Sequence, residues 1–254
     1  MTNGAMKLCA GVALPLTMLL SSGLAQAQET AATPTVSDDV LSRGANVSLA
    51  PLRIEMDGEQ RAETLRVYNP SPRAIGVQVR AFGWKQEAGK DVYFPSNDVM
   101  VSPSIITIAP GDTQIFRVVR RDRPAEGERR YRVAVDQLPD PELLRGGEAQ
   151  ARIRFTIPMF IDRATAQPAN IAWSVGSDGL TATNSGQQTA RLVNLSLKDA
   201  QGQPIPVETG GLHYIQGGST LNWVMPGGCP TGAVTISAMI DSQVIDVPAA
   251  NTCG

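Results

Sequence analysis

The sequence holds one histidine in 254 residues, which removes most histidine-based zinc sites and leaves a single imidazole for acid–base work. That residue, His213, lies in GGLHYIQGG between two glycine-rich turns, the setting of a surface or strand-end side chain rather than a catalytic base. Also missing are a Gly-x-Ser-x-Gly elbow, a Walker loop, His-Glu-x-x-His and any paired Cys-x-x-Cys. Carboxylates such as Asp136 and Asp162 are not brought together by any spacing. The expectation is a protein that is not an enzyme, with no catalytic residue, metal or cofactor. Lys and Arg number 22 against 24 Asp and Glu, a formal net charge of -2, so the broad basic field of a nucleic-acid binder is absent. Aromatics make up only 5%. Beyond the N-terminal stretch no segment sustains i, i+3, i+4, i+7 apolar spacing, so helices should be minor.

The exception is the first 27 residues. Lys7 supplies a short basic region, Leu8 to Leu20 is dominated by Ala, Val, Leu and Met, and Ala25-Gln26-Ala27 is a small-x-small cleavage pattern. The apolar run is short and broken by Ser21, Ser22 and Gly23, a poor span for a hydrocarbon layer of about 30 Å. Cleavage after Ala27 would give an exported protein without membrane insertion. Cys9 would leave with the leader, and because it precedes the apolar run it does not read as a lipidation site. Cys229 and Cys253 would remain, an even number in an oxidising compartment. A bond between them would close a loop of about 23 residues and contribute roughly 3 kcal/mol; the alternative is two buried free thiols.

Residues 28–44 are polar and aperiodic and read as a flexible arm. From Asn46 onward short β-rich runs alternate with turn residues. Runs such as Leu52 to Met56, Thr64 to Tyr68, Ile75 to Phe82, Gln114 to Val119, Tyr131 to Val135 and Ile153 to Ile161 are separated by Asp57-Gly58, Asn69-Pro70-Ser71-Pro72 and Pro110-Gly111-Asp112. Residues 162–170, DRATAQPAN, mark a boundary, after which the strand pattern resumes from Ile171 to Val247. The reading is all-β, with two sandwich domains in series over residues 45–162 and 163–254.

Within the first block, AQARIRFTIPMFI (residues 149–161) places Ala149, Ala151, Ile153, Phe155 and Ile157 on one face and polar or basic residues at the start of the other. It follows the loop PDPELLRGGE and ends at the boundary. An ordinary half-buried strand has the same alternation. A long strand at a domain edge, however, also offers unpaired backbone and an apolar row to a partner.

Taken in order, the segments resemble the periplasmic chaperones of chaperone–usher pilus assembly, the PapD-like family. Ser48 to Gly58 fits the family's opening Leu-x-x-x-Arg-x-x-x-x-Gly, and Thr64 to Pro70 its strand followed by asparagine. Ile106 to Gln114 is similar to its Pro-Gly turn, and Tyr131 to Pro139 to its penultimate strand ending in Leu-Pro. The resemblance runs from residue 46 to 163 and continues beyond mainly as length, β pattern and the late cysteine pair.

The resemblance implies two immunoglobulin-like β-sandwich domains in an L, with a cleft between them, and donor-strand complementation as the mechanism. A pilus (fimbrial) subunit lacking its last strand would receive the edge strand of the chaperone, with Ala151, Ile153, Phe155 and Ile157 in its groove, before delivery to an outer-membrane usher. A cationic pair in the family's cleft anchors the subunit's C-terminal carboxylate. Arg53 matches the first cation, while Pro158 stands where the family has a lysine. That departure implies a divergent branch similar to the archaic chaperones. It leaves Arg130 or Arg132, on the antiparallel neighbour, as candidates for the second cation. The family's inter-domain salt bridge is not evident, since Gln137 and Asp162 occupy its expected positions. The implied location is the periplasm, with self-association of the free protein through its exposed strand. The competing reading is an exported two-domain scaffold or adhesion module whose long strand completes its own sheet.

Overall fold

The computed structural model describes residues 47–121, 123–139 and 153–253. The predicted leader, the arm, Ala151 and nearly all of the loop before it lie outside the described residues. The first ten strands are β1 (Ser48–Ala50), β2 (Ile54–Met56), β3 (Ala62–Tyr68), β4 (Ile75–Glu87), β5 (Lys90–Pro95), β6 (Val99–Ser102), β7 (Ile105–Ile108), β8 (Thr113–Arg120), β9 (Arg129–Gln137) and β10 (Arg154–Ile161). They form a sheet in the order β1-β3-β8-β6 packed against β2-β10-β9-β4-β5, with β7 also on β4. Alternation decides which side chains enter the core: Leu65 and Val67 of β3 and Phe116 and Val118 of β8 point in, while Arg66, Tyr68, Ile115 and Arg117 point out.

The second group is β11 (Ile171–Gly176), β12 (Gly179–Asn184), β13 (Ala190–Lys198), β14 (Pro204–Ile205), β15 (His213–Ile215), β16 (Thr220–Trp223), β17 (Val234–Ile240) and β18 (Gln243–Asn251). Its order is β14-β13-β17-β18-β11-β12-β16, with β15 on β13. Its own core gathers Val175, Leu180, Leu192, Leu197, Ile215 and Ile236. Two separate cores, with the chain passing from one to the other through a short segment with a 3-10 turn at Arg163–Thr165, make this an all-β chain of two immunoglobulin-like sandwiches. No helix among the described residues is long and apolar enough to cross a membrane.

Both sandwiches close one end with a buried asparagine. The Asn69 side chain donates to the carbonyls of Arg73 (2.7 Å), Ile108 and Ala109 (both 3.1 Å) and accepts from the Ser71 amide. Asn184 repeats the arrangement, donating to the carbonyls of Gln188 (2.8 Å) and Ile215 (3.0 Å) and accepting from the Asn170 and Gly186 amides. A side-chain amide can satisfy loop backbone on both sides at once, which a carboxylate or an apolar residue cannot. Cys229 and Cys253 are bonded, with Cα atoms 5.7 Å apart, tying the β16–β17 loop to the chain after β18.

Four strands, β5, β6, β14 and β15, do not appear in the sequence reading. The expected strand from Leu52 shortens to Ile54–Met56, because Leu52 and Arg53 form a bend.

Candidate functional site

Strand β10 pairs antiparallel with β9 along its whole length, from Arg154 opposite Asp136 to Ile161 opposite Arg129. On its other side β2 joins in parallel only at Met159, Phe160 and Ile161. Arg154 to Pro158 therefore have a strand neighbour on one side alone among the described residues. Ile153 continues the ladder, its carbonyl accepting from the Gln137 amide at 3.0 Å.

One face of this strand is apolar throughout, but its parts have different surroundings. Ile157 (2% exposed), Met159 and Ile161 belong to the first sandwich's own core, and Phe155 packs partly buried at its rim. Ile153 is half-buried beyond that rim. This corrects the expectation for Ile157: its side chain is already enclosed by its own domain and is not available to another. The opposite face is covered only at the far end, where Pro158 and Phe160 are buried. At the near end Asp136 accepts hydrogen bonds from Arg80 (2.7 Å) and Arg154. Burial works against the Asp136 charge, but those two guanidinium bonds outweigh it and hold the carboxyl below the usual carboxylate range.

Beside the end of β10 an open cleft of about 600 Å³ is lined by Leu52, Arg53, Arg163, Arg191, Tyr214 and Asp241, with Pro51 and Ser242 completing it. Arg53 pairs with Glu55, approaches Asp241 at 3.7 Å and lies over the Phe160 ring, 4.7 Å from its centre. Arg163 covers the same ring at 5.4 Å.

Arg130 and Arg132 turn out to be otherwise engaged. Arg130 donates to Glu128 (2.9 Å), to the Thr189 hydroxyl (3.0 Å) and to the Gln187 carbonyl (2.6 Å). Arg132 is opposite Pro158 in the ladder, as the antiparallel geometry requires, but its guanidinium packs against both the Trp84 and Tyr214 rings and faces Asp91 at 3.7 Å. With its side chain only 9% exposed, Arg132 is part of the packing and not a cleft-lining cation.

The link between the two sandwiches also differs from expectation. The Glu128 carboxylate, fully enclosed, accepts from Arg130 and Arg163 of the first sandwich and its exit segment, and from the amide (2.8 Å) and hydroxyl of Thr189 in the second. Arg163 also donates to the Thr189 carbonyl at 3.0 Å and faces Asp241 at 3.6 Å. An ion network joining the sandwiches is therefore present, built on Glu128, Arg163 and Asp241. Gln137 takes no part in it. Asp162 accepts instead from Arg120 (2.9 and 3.0 Å), Arg129 and the Ala125 amide. Burial disfavours the Asp162 charge, and these donors more than compensate, lowering its pKa. Glu128, Arg191, Tyr214 and Asp241 were missed because they come from different strands, and no sequence spacing connects them. His213 is half-buried against Trp223, and burial pushes its pKa down. No group of three or more metal-ligating side chains occurs among the described residues.

Residues 46–167 match the family described as pili and flagellar-assembly chaperone, PapD N-terminal domain. This segment is similar to that chaperone domain along its whole length. No curated protein matches the sequence. Among solved structures, the chain is similar to one in the chaperone–tip subunit complex CsuC–CsuE from archaic chaperone–usher Csu pili of Acinetobacter baumannii. There identity is 20% over 81% of this chain and 99% of that one, with a TM-score of 0.63. A chain in the Salmonella enterica complex of SafA pilin with the SafB chaperone gives 20% identity, 81% and 95% coverage and a TM-score of 0.58. The E. coli chaperone DraB gives 18%, 81% and 97%, and 0.58. The fold of these chains is thus shared through both sandwiches.

Proposed function

We propose that the protein is a periplasmic chaperone that binds pilus subunits by strand donation and passes them to an outer-membrane usher. The observation that carries the reading is the apolar face of β10, which leaves its own core at Phe155 and continues to Ile153, while Arg154 to Pro158 keep one edge without a strand neighbour among the described residues. A partner lacking one strand would gain both of its missing parts from such a segment. Backbone groups would complete its ladder, and Ile153 with Ala151 would fill its groove, each Å² of apolar surface removed from water contributing about 25 cal/mol. Phe155 would pack where the two cores meet.

In this reading the residues before Gln28 act as an export signal. The sandwiches correspond to residues 45–162 and 163–254, and the Cys229–Cys253 bond forms in the oxidising periplasm. Binding has no turnover, so neither an enzyme activity nor a cofactor is required. Pro158 in place of the family's lysine supports a divergent, archaic-type branch, with Arg53 the cleft cation that retains the family position. The unpaired edge gives two free chains a route to associate. The test is purification of the tagged protein from the periplasm of its own host while surface fibres are being made. A stoichiometric small exported β-protein bound to the chain supports the reading. A chain that elutes without one under those conditions contradicts it.

A further inference from the structure

The backbone polar groups of successive strand residues point to opposite edges, and on β10 their directions are settled at both ends. The Ile153 carbonyl accepts from the Gln137 amide at 3.0 Å, so the odd-numbered residues from Ile153 to Ile161 turn N–H and C=O toward β9. The Asp162 amide donates to the Met56 carbonyl at 2.9 Å, so the even-numbered residues face the other edge, which β2 joins only from Met159 onward. Arg154, Thr156 and Pro158 are therefore the residues whose backbone faces an edge with no strand neighbour among the described residues. Arg154 and Thr156 each offer an N–H and a C=O there. Pro158 offers a carbonyl but no N–H, and its ring carbon stands where the hydrogen would point. The next outward residue, Phe160, is already opposite Glu55 of β2. The open edge ends on a residue that cannot continue a ladder.

The second sandwich repeats the device in different surroundings. At the end of β18 the Thr252 amide donates to the Val175 carbonyl at 2.8 Å, and β11 joins at Ala250 and Asn251. Pro248 thus precedes the joining strand on an outward position, as Pro158 does on β10. There the inward row Ile245, Val247 and Ala249 stays packed against its own core. On β10 the row leaves its core past Phe155 and reaches Ile153. Of the two edges, it is the one on β10 whose proline adjoins apolar side chains that a partner can use.

We infer that Pro158 sets the register of strand donation: the partner's strand bonds to the backbone of Arg154 and Thr156 and is halted opposite Pro158. The inference rests on the strand-donation reading and adds a device on this chain that selects one alignment. A ladder with one buried face slips in steps of two residues, because a one-residue shift turns every side chain to the wrong face. With the proline in place, the partner cannot take such a step toward β2, and Ile153 stays opposite one position of the partner's groove. The strand that fits is one that ends or turns away opposite Pro158.

The experiment uses the full mature chain and the subunit it captures in the host periplasm. Disulfide trapping reads the register, with Ile153→Cys paired against single cysteines placed along the subunit's groove. With Pro158 present one groove position should dominate. With Pro158→Ala added, trapping should spread to the position two residues along. Thr156→Pro provides a second readout, because the N–H it removes faces no strand among the described residues of the free protein. Its melting temperature should hold while captured subunit falls about tenfold or more, since a ladder bond is lost and the ring obstructs the approach. Parent-like trapping in the Pro158→Ala chain, or parent-like capture by Thr156→Pro, overturns the inference and leaves strand donation standing. A parent that captures no subunit removes strand donation itself, and the inference with it.

Discussion

Arg132 stands opposite Pro158 in the β9–β10 ladder, and its guanidinium carbon lies 3.8 Å from the centre of the Trp84 ring and 4.7 Å from that of Tyr214. The two rings come from different sandwiches and meet edge to face at 5.3 Å. Two residues beyond Trp84, the Gln86 side chain donates to the Tyr214 carbonyl (2.7 Å) and accepts from the Gln216 amide (2.9 Å), extending the same contact. Arg132→Ala should therefore destabilise the protein by about 1–2 kcal/mol in urea unfolding. Lysine should not restore the loss, because stacking on the Trp84 ring suits a flat guanidinium. A parent-like midpoint for Arg132→Ala would show that the stack holds nothing together.

Neighbouring apolar residues on one strand should behave differently. Ile157→Ala empties a site in the first core and should cost about 2–5 kcal/mol. Ile153→Ala, at the edge of that core, should cost less than about 1 kcal/mol. Equal losses in chemical denaturation would mean that the boundary between the protein's own core and the donated segment lies elsewhere.

Glu128 concentrates the junction's polar bonding in one enclosed carboxylate. Its removal as Glu128→Ala leaves Arg163 and the Thr189 amide without their acceptor, an expected loss of about 3–5 kcal/mol. Calorimetry should show the single transition of the parent separating toward two, one for each core. Glu128→Gln keeps an acceptor and should fall between. An unsplit, unshifted transition in the alanine variant would remove Glu128 from the coupling.

The pH response is set by groups of opposite sign. Tyr131 is pushed up to about 12 by burial and by its hydrogen bond to Asp98, so the folded state holds that proton more tightly than the unfolded chain, whose tyrosines titrate near 10. Its contribution is complete below pH ~10 and is lost as pH rises toward 12. Asp162 is depressed, so its contribution is present above the unfolded carboxylate pKa near 4 and disappears as pH falls through the lower folded value. Tyr131→Phe should flatten the alkaline decline and Asp162→Asn the acidic one, each read from melting temperature against pH. An alkaline limb of unchanged slope in Tyr131→Phe would assign that proton to another group.

The sandwich class was legible because most strands alternate cleanly and are punctuated by residues with a turn geometry. Gly58 and Gly111 do adopt the positive φ that Asp57-Gly58 and Pro110-Gly111 announce. Strand β5 escaped because it is an edge strand with almost no buried side chain, so Lys90 to Pro95 carries no inside–outside pattern. At the site, the period-two face of β10 was readable, but where it stops being internal was not. The depth of Ile157 is fixed by the core it shares with the facing sheet, including Leu65, Val67, Phe116 and Val118, far away in sequence. Register placed Arg132 opposite Pro158 correctly, yet its guanidinium is taken up by Trp84, Tyr214 and, at 3.7 Å, the Asp91 carboxylate, and Tyr214 belongs to the other sandwich. The ion network at Glu128 likewise depends on three chain segments that only folding brings together.

The most direct test of strand donation is a quantitative comparison of subunit captured by the parent and by Ile153→Asp, expressed in the host periplasm at matched levels. The expected result is a loss of about tenfold or more in bound subunit, since a carboxylate cannot enter an apolar groove without a partner, with the free protein's melting temperature unchanged. Equal capture by an Ile153→Asp chain of normal stability would contradict the account.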